Sequence, residues 1–436
     1  MNEAEWRAAR NSRSLRYAGR VLDPDKRVHL RADPAYAARY DGQVAILVAA
    51  NLFGRMTPAL ALDIPSVPVV APLPWAGVDL REYVLKQLYA ADPFGKFAQC
   101  NASDGDYIIH LGRAGASAVV HGSGWNLYAG PAPSPLADDE TANPVGPAMA
   151  AILAGAEAFR SALSHPAAFQ LNALTWHAGM ATAADAPLPT ALSPGALWFV
   201  GLGSVGTAVL YFLTLATRDF SARLFDMDKV KIHNLDRSPL FMDRHVRWQK
   251  VDAAAEYLRG LGITAVEPEP FALDESPAWT GRPLGVPDVL ISAANERNVR
   301  AVIESNFPPL QIYATTGRNW QAAVIRHAPF EDPCSCCLFP ETAHAPTTCA
   351  TGSLPQASNG EQMDAALPFL SFAAGVMAAA EILKRGLPGY PFVSNRVVLN
   401  TSPRIRTVPA ALSLRSSCIC QKRSSTVHRQ MLDLPV

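Results

Sequence analysis

Residues 196–241 read ALWFVGLGSVGTAVLYFLTLATRDFSARLFDMDKVKIHNLDRSPLF. The stretch opens on a short apolar run, 197–200, of strand length and composition. Gly201-x-Gly203-x-x-Gly206 follows. The first glycine permits a tight turn, the second lets a phosphate approach the backbone, and the third lets the next helix sit close to its strand. Residues 207–217 are apolar at helical spacing. A second strand, 222–225, ends at Asp226, an acid placed to bind the hydroxyls of a ribose. Strand, glycine turn, helix, strand and acid together describe a nucleotide seated on a helix N-terminus in a doubly wound α/β sheet.

The continuation narrows the chemistry. Asp226-Met-Asp228 leads into Asn234-Leu-Asp-Arg237 and then Lys250. A hydride-transferring enzyme has no use for these cations. A carboxylate attacking a polyphosphate needs them, because two anions must be brought together in a water-poor site. The run resembles the adenylating domain of the ubiquitin-activating enzymes and of their bacterial relatives ThiF and MoeB. The resemblance implies that Asp226 holds the ATP ribose and that Asn234, Arg237 and Lys250 face the phosphates, with Mg2+ as the partner of the triphosphate. After the later strand 288–292 those relatives carry an Asp-Asn pair with an arginine soon after. Here Asn295-Glu296, before Arg300, stands in its place, so either Glu296 or Asp228 holds the metal, or catalysis is weaker, or this half is not an active adenylating enzyme.

The chain has 436 residues, enough for two to four domains. Only 17% of residues are charged, with 38 of each sign, which points to a globular protein and gives no footprint for nucleic acid or an anionic membrane. No apolar run reaches membrane-spanning length, and residues 1–13 lack a signal-peptide core, so a cytoplasmic enzyme is expected.

Residues 1–165 read as a first α/β unit. Strands are expected at 44–49, 107–111 and 118–120, and helices at 80–89 and 148–163, with no phosphate loop among them. The helix at 148–163 has an echo at 372–387. Both are alanine-rich, and each carries Ala-Glu and a base three residues on: Glu157 with Arg160, and Glu381 with Lys384. That spacing is also an ordinary helix pair. The other reading is internal duplication, with the first unit a degenerate, inactive copy. The large ubiquitin-activating enzymes look like that, and their inactive half often lends an arginine; Arg16 and Arg55 are the candidates. Residues 166–195, rich in Pro and Ala, read as a connector in which 169–176 could add a strand. Residues 196–436 form the second unit, with a helix at 248–258 and strands at 265–271, 288–292, 311–315 and 321–327.

Seven cysteines cluster late, a pattern of metal or thiol chemistry rather than a disulfide framework. Cys334, Cys337, Cys418 and Cys420 would suit a closed structural Zn2+ site, with Cys336 able to replace one ligand. Relatives pin their C-terminal strand with such a zinc. Cys349 lies in a polar loop where the ThiF and MoeB relatives carry a reactive cysteine. The resemblance makes it the nucleophile that takes the acyl group, with Cys336 as the alternative and His344 near enough in sequence to lower its pKa.

The implied activity is ATP-dependent adenylation of a ubiquitin-like protein, thioester formation on Cys349 and transfer to a conjugating enzyme. The layout is similar to enzymes of bacterial conjugation operons, some of which act in antiphage defence. A homodimer is possible on sequence grounds. Rival readings are activation of a sulfur-carrier protein, a nicotinamide dehydrogenase and a nucleotide-binding scaffold.

Overall fold

The computed structural model describes residues 1–18, 21–22, 27–99, 107–114, 118–131, 133–137, 142–160, 168–179, 186–276, 287–294, 299, 303, 310–317, 320–328, 332–334, 337, 367–390 and 394–416. They form two eight-stranded mixed sheets. The first contains β1 (Val28–Ala32), β2 (Ala59–Asp63), β3 (Lys96–Gln99), β4 (Tyr107–Leu111), β5 (Ala118–Ser123), β6 (Asn126–Gly130), β7 (Phe169–Asn172) and β8 (His177–Ala178) in the order β3-β2-β1-β4-β5-β6-β7-β8. The second contains β9 (Gly195–Val200), β10 (Phe220–Phe225), β11 (Val266–Glu269), β12 (Val289–Ser292), β13 (Gln311–Gly317), β14 (Gln321–His327), β15 (Arg396–Asn400) and β16 (Arg406–Ala410) in the order β11-β10-β9-β12-β13-β14-β15-β16.

These orders are the same, strand for strand. The directions agree as well: the first five strands of each half pair in parallel and the last three antiparallel. Each half therefore repeats one doubly wound topology. β7 and β8 fall in the stretch whose composition reads as connector, so the first sheet runs on to Ala178.

The helices repeat too. α1 (Glu3–Ala18) and the short α2 (Pro34–Ala37) open the chain. α3 (Tyr40–Met56) and α4 (Leu80–Ala91) follow β1 and β2, as α6 (Ser204–Ala216) and α7 (Lys250–Gly260) follow β9 and β10. α5 (Val145–Phe159) and α8 (Pro368–Lys384) each join the sixth strand of a half to its seventh.

The strand expected at 44–49 is a correction: those residues lie inside α3. Almost every residue of α3 is buried. A helix enclosed on all sides carries no polar stripe, so a short piece of it is indistinguishable by periodicity from a buried strand. α3, α5, α6 and α8 pack together between the sheets. Small residues permit the approach: a Cβ on Gly375 would stand 2.3 Å from that of Ala208.

The halves are joined reciprocally. Arg160, the residue that caps α5, paired with Glu157 at 2.9 Å, donates to the Thr401 carbonyl in the β15–β16 turn at 3.2 Å. Glu381 of α8, paired with Lys384 at 2.6 Å, accepts from the indole of Trp176 in the β7–β8 turn at 2.7 Å. Each Glu-base pair thus reaches the same turn of the opposite half. Among the described residues no helix is long and apolar enough to cross a membrane.

Candidate active site

The glycine loop joins β9 to α6 at the carboxyl edge of the second sheet. Gly201 has φ +88°, open to glycine at no steric cost, and its amide donates to the Phe225 carbonyl at 2.9 Å. A Cβ on Gly206 would lie 2.0 Å from the Gly201 carbonyl oxygen, so the third glycine is fixed by helix-to-loop packing. At Gly203, the residue before α6, nothing lies within 4 Å of the place a Cβ would take. The middle glycine faces open space, as a loop that receives a ligand requires.

A cleft of about 230 Å³ lies over this loop, lined by Gly201, Gly203, Asp226, Asp228, Lys250, Met227, Phe271 and Leu273 among others. Asp226 Oδ2 accepts from the Leu202 amide at 2.7 Å and Oδ1 from the Asp228 amide at 2.9 Å, which ties the acid to the loop. Lys250 begins α7. Its Nζ lies 2.7 Å from Asp228 Oδ2 and 3.3 Å from Asp226 Oδ1. Burial alone would raise the Asp228 carboxyl, but Lys250, with Lys231 and Arg13 beyond it, holds it below its ordinary value.

Asn234 and Arg237 sit along the segment that follows Asp228. Asn234 closes the short 3-10 turn Ile232–Asn234, its Oδ1 accepting from the Lys231 amide at 2.8 Å. Arg237 is buried and donates to Asp236 at 2.7 Å, while Ser14 of α1 donates to the other oxygen of Asp236 at 3.1 Å. Burial pushes the Asp236 carboxyl up.

His233 reports the field here. Its pKa is pushed down to about 3, first by burial and then by Arg13, Arg237, Lys231 and Lys250. Arg13 lies 3.2 Å from His233 Nε2, and because a guanidinium only donates, that nitrogen must accept, so the ring is neutral. Arg13, Lys231, Arg237 and Lys250 all act on this half-buried imidazole, so the segment after Asp228 gathers cations, of which Lys250 lines the cleft.

Arg13, Ser14 and His233 meet beside Asp236 and Arg237, a contact that sequence reading missed. Trp6, Arg10, Arg13 and Ser14 recur at helical spacing, a pattern that could have marked one face of α1. That face does meet the second half, where the Trp6 indole donates to Asp243 at 3.0 Å. Of the two arginines proposed from the first half, Arg16 is exposed. Arg55 does reach the second half, but it contacts backbone carbonyls there.

Cys334 and Cys337 are buried, with sulfurs 3.9 Å apart. Two ligands of a tetrahedral zinc with Zn–S near 2.3 Å stand about 3.8 Å apart, so this pair has the spacing of half such a site. Asp332, two residues before, accepts from Asn395 at 3.2 Å, and Asn395 donates to the Leu412 carbonyl at 2.9 Å. The chain therefore leaves β16 beside this pair. Among the described residues no cluster of three or more metal-ligating side chains occurs. Cys418, Cys420, Cys336, Cys349, His344, Asn295, Glu296 and Arg300 lie outside the described residues.

The ThiF family matches residues 191–417, and the BilD N-terminal domain matches residues 27–178. No curated protein matches the chain. Similar solved structures include MccB of E. coli at 16% identity and TM-score 0.41, aligned over 52% of this chain and 64% of that one. A structure titled as E. coli MccB with ATP aligns at 17% identity and TM-score 0.39, over 52% of this chain and 66% of that one. The microcin C7 biosynthetic enzyme MccB in complex with N-formylated MccA aligns at 17% identity and TM-score 0.40, over 52% and 67%.

Proposed function

The chain belongs to the ThiF family, and from that premise we propose that it activates the C-terminal carboxyl group of a ubiquitin-like protein with ATP. One observation carries the reading: the cleft of about 230 Å³ over the open glycine loop is lined by Asp226, which the loop's own amide holds, and by Lys250, whose Nζ lies 2.7 Å from Asp228 Oδ2. A half-enclosed pocket with a fixed cation and an open glycine loop suits a triphosphate and lets a second anion approach it.

The terminal carboxylate oxygen attacks the α-phosphorus of ATP, the bond to the β-phosphate breaks, and pyrophosphate leaves. Asp226 orients the ribose; Lys250, Asn234 and Arg237 face the phosphates and offset the growing charge. Gly203 lets the phosphates approach the backbone. Magnesium would travel with the triphosphate and screen its charge. Asp228, half open to the cleft, is the described carboxylate that would hold it.

The Cys349 thiolate then attacks the acyl carbon of the adenylate, AMP leaves, and the thioester passes to a conjugating enzyme. The degenerate first half contributes packing and the α1 residues Arg13 and Ser14. Zinc would be held by Cys334, Cys337, Cys418 and Cys420 and would pin the chain's end to β14. The setting would be a cytoplasmic bacterial conjugation system of the kind that acts in antiphage defence.

The test is incubation with ATP, Mg2+ and a Gly-terminated ubiquitin-like protein from a neighbouring gene. Cys349→Ala is expected to keep pyrophosphate exchange and lose the thiol-sensitive adduct. An adduct that persists in that variant removes Cys349 as nucleophile. A thiocarboxylate product would instead identify a sulfur-carrier activity.

A further inference from the structure

Arg55 lies near the end of α3, in the first half, and is 2% exposed. Its partners are carbonyls of the second half. Nη1 donates to Leu235 O at 2.6 Å and Phe241 O at 3.2 Å, and Nη2 donates to Pro239 O at 3.0 Å. Nε donates to Asn51 Oδ1 at 2.7 Å, one turn earlier, and the Asn51 amide donates to the same Pro239 carbonyl at 3.2 Å. Burial first, then Arg10, push the Arg55 pKa down to about 9, which leaves it charged at neutral pH.

Three carbonyls within seven residues point at one centre. Such a turn cannot satisfy them itself, and buried carbonyls left unpaired are costly. A planar guanidinium on a rigid helix gathers all three and Asn51 as well, and a lysine, whose three donors share one compact nitrogen, lacks the fork to reach them together. Arg237 lies inside this turn and Asn234 just before it. We propose that Arg55, backed by Asn51, is a positioning residue that holds the 235–241 turn from the first half and so sets Arg237 against the triphosphate. The first half then governs the reaction without touching the nucleotide. This rests on the adenylation reading given above.

The full chain is compared with Arg55→Ala and the milder Arg55→Lys. Tyr40→Phe serves as a control: it loses a different bond between the halves, from Tyr40 to the Leu215 carbonyl. Amide hydrogen exchange across 235–241 should speed up in both Arg55 variants. Pyrophosphate exchange, with the ubiquitin-like protein that supports it in the wild type, should fall about 10- to 100-fold in kcat. Affinity for a fluorescent ATP analogue should move by no more than about threefold. Methylguanidinium should restore part of the Arg55→Ala rate, and methylammonium should not. Unchanged protection of 235–241, or a kcat loss that Tyr40→Phe reproduces, overturns the proposal. A wild type that makes no pyrophosphate overturns the adenylation reading instead, and the exchange of 235–241 still decides the role of Arg55.

Discussion

Trp176 of the first half donates its indole hydrogen to Glu381 of the second at 2.7 Å, and the same carboxylate pairs with Lys384 at 2.6 Å. The Lys384 ammonium in turn lies 4.7 Å from the Trp176 ring. Burial lowers the Lys384 pKa and Glu381 opposes that shift. Breaking one partner of a buried pair strands the other charge, so Glu381→Gln or Lys384→Met alone should cost about 3–5 kcal/mol. The double variant keeps an acceptor for Trp176 and leaves no charge behind, so it should recover most of that loss. Urea unfolding of the three variants checks this; additive losses would contradict it.

The glycines of the loop separate by role. Gly206→Ala places a methyl 2.0 Å from the Gly201 oxygen and should lower both Tm and nucleotide binding. Gly203→Ala meets nothing within 4 Å, so it should leave Tm nearly unchanged and weaken nucleotide binding about tenfold or more, because the methyl occupies ligand space. Thermal unfolding with and without ATP distinguishes the two.

His233 makes the fold sensitive to acid. Its folded pKa is near 3, whereas an unfolded histidine titrates at 6.5. Between those values the unfolded chain binds more protons, so stability rises with pH across the window and is lost as pH falls through it. The slope from this one group reaches at most about 1.4 kcal/mol per pH unit. His233→Gln should flatten the profile between pH 6.5 and about 4 in denaturant titrations. An unchanged slope would mean that His233 does not stay neutral.

The two buried cysteines make a metal prediction. Cys334→Ser should lower zinc content measured on the purified protein and loosen the chain beyond β16, read as faster proteolysis after Leu412. Zinc at wild-type stoichiometry in that variant would remove Cys334 from the ligand set.

Much of the second half was legible because glycines and strand-end acids act through local backbone geometry. Gly201, Gly206 and Asp226 stand where spacing alone places them. The repeat was legible in outline from Glu157 and Glu381, although only the paired strand orders separate duplication from an ordinary helix pair. What sequence missed is long-range or enclosed. Residues 44–49 gave no polar stripe, since α3 is surrounded. Arg16 was a candidate because relatives' inactive halves often lend an arginine, yet Arg13, three residues earlier, is on the face of α1 that meets His233. Arg55 was a candidate for an arginine lent to the active site; it does cross to the second half, but it ends on backbone carbonyls there, and nothing local says so.

The central claim is that this chain joins a protein's terminal carboxyl group to AMP. The direct measurement is exchange of labelled pyrophosphate into ATP with Mg2+ and a Gly-terminated ubiquitin-like protein from a neighbouring gene. Exchange that depends on that protein and falls about 100-fold or more in Arg237→Ala and Lys250→Met is the expected result. No exchange by the wild type, or exchange indifferent to both substitutions, would contradict it.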